Sequence, residues 1–114
     1  LALDSFKEGM TVCHQAFVAL RKITGFYNLR YRFSADYDWC IRCLQHSRRN
    51  HYVDETIIHY LSEGMTTANM KASLRERFNI MCRYFGTLPT VLRHLKFLKR
   101  YINRRRSTAS PNKQ

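Results

Sequence analysis

Apolar and polar positions alternate from Met10 to Leu20. Met10, Val12, Ala16, Val18 and Leu20 fall on one side with His14, and Cys13, Gln15 and Phe17 on the other. A period of two predicts a half-buried strand, with His14 the one polar residue on its apolar face. Thr24-Gly25-Phe26-Tyr27-Asn28 reads as a turn in which Gly25 is free to take a positive φ. From Ala35 to about His46 the pattern becomes helical. Ser34 stands at the N-cap, and Asp36 and Asp38 fall in the first turn, where carboxylates suit the positive end of the helix dipole. Ser47-Arg48-Arg49-Asn50 is a polar connection. His51 to Leu61, rich in β-branched and aromatic residues, reads as one strand or as two short ones broken near Asp54-Glu55. Residues 62–67 read as a loop. Leu74, Phe78, Met81, Phe85, Leu88, Leu92, Leu95, Leu98 and Ile102 then advance by threes and fours. Gly86 and Pro89 divide this run into two amphipathic helices, about Ala68–Phe85 and Leu88–Arg104, with Thr87 as cap and Pro89 in the first turn of the second. Residues 107–114 form a polar tail expected to be disordered.

The expected fold class is therefore α/β, mixed α and β. A few strands of an incomplete sheet carry the Asp36 helix, and two amphipathic helices follow. Residues 1–67 form one part, 68–106 a basic helical extension and 107–114 the tail. On the helical wheel Asp36 shares the apolar side with Trp39, Cys40 and Cys43. Asp38 points elsewhere, four residues before Arg42, which is ion-pair spacing on a solvated face. Asp38 thus has a structural explanation. A carboxylate on the buried side, as Asp36 is read, is either paired in the core or faces a pocket where it does chemistry.

The chain has 114 residues, enough for one modest core, and 45% hydrophobic residues argue against a disordered chain. It opens on Leu1 with no initiator methionine, so it is expected to be a piece of a longer protein. It shows no membrane-spanning run and no signal peptide. The net charge of +12 is uneven, for residues 71–114 hold twelve Lys/Arg against Glu76 alone. Such a block calls for an anionic partner, nucleic acid or an anionic membrane surface, or else is a solvated face. Cys13, Cys40, Cys43 and Cys82 are read as reduced thiols, with Cys40 and Cys43 packing as small hydrophobes one turn apart. Cys13, Cys40, Cys43 and His46 are zinc-ligand types, but they lack the second closely spaced pair of structural zinc sites.

Four ordered patches carry a resemblance. They are Cys13-His14-Gln15-Ala16-Phe17, then Gly25-Phe26-Tyr27-Asn28, then Ala35-Asp36-Tyr37-Asp38-Trp39 with Arg42, and finally Ile57-Ile58-His59-Tyr60 before Gly64-Met65-Thr66. Over roughly residues 8–85 the chain resembles the C-terminal half of inverting nucleotide-sugar glycosyltransferases of family two, which have the two-lobed GT-A fold. It is most like the bacterial enzymes that assemble capsular, colanic-type or O-antigen polysaccharides. The resemblance implies that Asp36 is the catalytic base, in a pair whose first acid is here Ala35. Asp38 is a secondary candidate. It implies that His14, Gln15, Trp39, Gly64 and Thr66 bind substrate; Trp39 either stacks on a sugar or sits in the core. The family's Gly-Gly-x-Ser loop stands here as Glu63-Gly64-Met65-Thr66, without the first glycine.

The implied reaction removes a proton from an acceptor hydroxyl at Asp36. That oxygen attacks the anomeric carbon of a nucleotide-sugar with inversion, and the nucleoside diphosphate leaves. The resemblance also implies Mg²⁺ or Mn²⁺ on the leaving diphosphate, held by an Asp-x-Asp motif in the N-terminal half. No such motif precedes Asp36, and Asp36-Tyr37-Asp38 is not it. The fragment alone is then expected to be inactive. Its partners would be a nucleotide-sugar donor and a saccharide or lipid-linked acceptor. An anionic membrane surface would be met through residues 71–106, which sets an expected location in the cytoplasm, peripheral at the inner membrane face. An open sheet edge and exposed apolar surface would promote self-association into a homo-oligomer. The alternatives are a small basic nucleic-acid-binding domain, which would leave Asp36 and His14 unexplained, and a helical protein-interaction module using the apolar stripe.

Overall fold

The computed structural model describes residues 1–59 and 68–108. Three short 3₁₀ turns, Leu3–Glu8, His14–Ala16 and Arg21–Ile23, precede three α-helices: α1 (Ala35–His46), α2 (Met70–Phe85) and α3 (Thr87–Thr108). Among the described residues there is no strand. This overturns the expected mixed α and β class, together with its incomplete sheet.

The physical reason is pairing. Alternation creates two faces, but a strand forms only where a neighbour takes up its N–H and C=O groups. Between Met10 and Leu20 the backbone instead closes local turns, Ala16 N–H to Cys13 O and Phe17 N–H to His14 O. The even positions do not share a buried face either, for Val18 is 87% exposed and Leu20 66%. Residues 51–59 are likewise irregular, with Tyr52 and Val53 exposed, and the rest of the second expected strand lies outside the described residues. The sheet edge invoked for self-association is therefore absent among the described residues.

The core lies where α1 meets the Leu3–Glu8 turn and the C-terminal half of α2. Phe6, Tyr37, Cys40, Ile41, Leu44, Ile80 and Met81 form it, with Val12, Phe17 and Tyr84 packed around them. Phe6 stacks on Tyr37, whose hydroxyl donates to the Phe6 carbonyl. The core thus joins the first part of the chain to α2. The two helical periods read from the sequence are present as α2 and α3, separated at Gly86. That residue takes φ 89°, the left-handed region in which a side chain is strained, and Pro89 follows in the first turn of α3. The helix α3 runs through Thr108, and the rest of the tail read as disordered lies outside the described residues.

The start of α1 is not held by the cap read from the sequence. The Ser34 hydroxyl donates to the Ser73 carbonyl at 3.4 Å and makes no cap bond. The Glu76 carboxylate on α2 accepts the N–H groups of Arg32, Phe33 and Ser34 at 2.8, 2.8 and 2.9 Å. An anion collecting three successive backbone donors at a helix entrance does what a capping side chain does, and does it from another helix.

Candidate functional site

The first turn of α1 presents two aspartates with opposite fates. Asp38 is the buried one, 1% exposed, with Oδ2 accepting from Arg42 Nε at 2.9 Å and Oδ1 from the Tyr84 hydroxyl at 2.8 Å. The i,i+4 pair with Arg42 read from the sequence is present, but in the protein interior and not on a solvated face. Asp36, read as the buried carboxylate, has a side chain 30% exposed and lies 3.2 Å from His14 Nδ1 through Oδ2. Its Oδ1 accepts the N–H of Tyr37 at 2.8 Å. The reversal arises because α2 covers the Asp38 side of α1 through Tyr84. Asp36 itself is met by His14 of the short His14–Ala16 turn.

His14 is exposed, 45% at its side chain, and is not a core histidine. The ring stands against one face of the Asp36 carboxylate, which keeps the rest of that carboxylate open to a bound hydroxyl. Gln15 lies exposed beside it on the same turn. Gly64 and Thr66 lie outside the described residues.

Trp39, one turn beyond Asp36, is half-buried among aromatic rings. Its face is tilted on Tyr27 at 5.6 Å between centroids, and the Phe17 ring meets it edge-on at 5.8 Å. Its Nε1 donates to the Gly25 carbonyl at 2.9 Å, and Arg42 Nη2 donates to that of Phe26 at 2.8 Å. These two bonds pin the 25–26 segment onto α1. A Cβ on Gly25 would lie 3.1 Å from Arg42 Nη1, a close approach that the end of the Arg42 side chain would have to yield to, while its φ is not positive as the turn reading expected. A groove of about 430 Å³ results, lined by Arg21, Thr24, Gly25, Phe26, Tyr27 and Trp39. Phe26 stands 97% exposed at its mouth. Flat aromatic faces around an open groove suit the C–H faces of a sugar ring or another flat apolar ligand.

The two buried thiols of α1, Cys40 and Cys43, have no reactive character. Burial pushes Cys40 up to about 12, helped by the nearby Asp36 and Cys43, and burial raises Cys43 as well. Tyr84 is also pushed up to about 12, first by burial and then by its hydrogen bond to Asp38. Among the described residues no group of three or more His, Cys, Asp or Glu could hold a metal ion. Glu76 is the positioning residue that sequence reading missed. Its signal was its solitude, one acid among twelve cations.

No family model, curated protein or solved structure matches the chain.

Proposed function

We propose that the face built from Asp36, His14 and Trp39 is the acceptor side of a sugar-transfer site, with Asp36 as the base. The observation that carries the reading is the different treatment of the two aspartates. Asp38 is fully engaged by Arg42 and Tyr84, whereas Asp36 is half-open and flanked by His14. A general base needs a carboxylate in reach of an incoming hydroxyl, and Asp36 has that access. The aromatic groove beside Trp39 supplies a surface on which an acceptor sugar stacks.

In this reading an acceptor hydroxyl docks against Asp36 and gives up its proton to the carboxylate. The freed oxygen attacks the anomeric carbon of a nucleotide-sugar, and the nucleoside diphosphate departs with inversion. The proton step uses only residues of this chain. The nucleotide- and metal-binding half of such a site would lie outside residues 1–114, with Gly64 and Thr66 kept as substrate-binding candidates, so the isolated chain binds acceptor without turning over.

The test has two parts. Trp39 is the single tryptophan, so its fluorescence reports saccharide binding by the chain itself. Titration with oligosaccharides should shift its emission, and Asp36→Asn should keep that shift. In the intact polypeptide that carries residues 1–114, nucleoside-diphosphate release from UDP- and GDP-sugars should fall by roughly 10²–10⁴-fold in Asp36→Asn with an unchanged circular dichroism spectrum. Turnover that survives Asp36→Asn rules this residue out as the base.

A further inference from the structure

We propose that α3 is a membrane-surface helix that lies along an anionic lipid leaflet. Leu88, Val91, Leu95, Leu98 and Ile102 recur by threes and fours and make one stripe along it. Apart from the half-buried Val91, that stripe is uncovered: Leu88 is 69% exposed, Leu95 56%, Leu98 52% and Ile102 43%. On the other side of the helix Arg93, Lys96, Arg100 and Arg104 follow the same spacing. Thr87–Thr108 holds seven Lys/Arg and no Asp or Glu. Arg93 meets Glu8 at 3.4 Å, and Thr90 is the one buried residue among the described residues of α3.

This combination selects among occupants by charge and by polarity together. A nucleic acid would answer the cations but leave the leucine stripe in water. A second copy would cover the stripe, yet it would bring Lys99, at the stripe's edge, against a surface of the same sign with no carboxylate on α3 to pair it. An anionic lipid surface answers both, because aliphatic side chains enter the acyl boundary while Lys and Arg reach the headgroups. No helix among the described residues is long and apolar enough to cross a membrane, so the helix lies on the surface and does not span. The inference is independent of the reading of Asp36.

Vesicle flotation of the full chain tests it, with phosphatidylcholine alone and with about a third phosphatidylglycerol. The chain should bind the anionic vesicles at least tenfold more strongly and lose most of that binding at about 0.5 M salt. Lys96→Gln with Arg100→Gln should weaken it roughly fivefold for each charge removed. Leu95→Ser with Leu98→Ser, at exposed positions that leave the core alone, should weaken it tenfold or more without changing the charge. Equal binding to both vesicle types would overturn the proposal. So would anionic binding that ignores the leucine pair, which is adsorption by charge alone. A dimer in sedimentation that the leucine pair dissolves, with no vesicle binding, would hand the face to a second copy. Salt-sensitive oligonucleotide binding with no vesicle binding would hand α3 to nucleic acid.

Discussion

The helices α1 and α3 both carry an apolar stripe, and the protein treats them in opposite ways. Half of α1 is buried, from Tyr37 to Leu44, under Phe6 on one side and Ile80 and Met81 on the other. The stripe on α3 is longer and richer in leucine, yet it faces outward. Amphipathicity specifies that a helix has a face to cover and not what covers it. On α1 the cover is the chain itself, with a buried ion pair and a phenol locked in place. On α3 a flank of cations points to a cover of another chemistry.

The comparison can be broken first with pH. Tyr37 and Tyr84 are raised from 10.0 to about 12, and Cys40 from 9.0 to about 12, chiefly by burial. A raised folded value means that the unfolded chain releases these protons first, so their contribution is complete below about pH 9 and is lost as pH climbs toward 12. The α1 core should therefore unfold cooperatively in that window, followed by circular dichroism. Tyr84→Phe should flatten part of the loss. The stripe on α3 has no part in it.

Side-chain truncation sharpens the contrast. Ile41→Ala should cost about 3–4 kcal/mol in urea denaturation, because it opens a cavity under Phe6 and Ile80. Leu95→Ala on α3 should change stability by less than about 0.5 kcal/mol. Between these lies Glu76→Gln, which keeps the shape but removes the charge that gathers three N–H groups at the head of α1. A loss of about 2–3 kcal/mol is expected, with faster amide exchange at Arg32, Phe33 and Ser34. A small effect should also come from Gly25→Ala. The new Cβ meets the far end of a flexible guanidinium at 3.1 Å, so a loss below about 1 kcal/mol and a small shift in Trp39 emission are expected.

The α1 helix, the two C-terminal helices and the break at Gly86 were legible in the sequence, because helical periodicity and a glycine stop are local signals. The Asp38–Arg42 pair was legible for the same reason, since both partners lie on one turn. The strands were misread. Alternation at 10–20 and β-branched content at 51–61 describe a surface suited to pairing, and the partner that would make a strand of either is absent among the described residues. Which aspartate is buried was also misread. The wheel places Asp36 on the apolar side of α1, but Tyr84, distant in sequence, is what closes over Asp38.

The sequence by itself determined the helices, their stripes and the concentration of positive charge toward the C-terminus, because each depends on residues a few positions apart. Only the tertiary structure decided which carboxylate stays accessible, which helix is sealed and how the head of α1 is held. Those outcomes depend on contacts such as Glu76 with Arg32 to Ser34 and Tyr84 with Asp38, which span more than forty residues and leave no periodic trace along the chain.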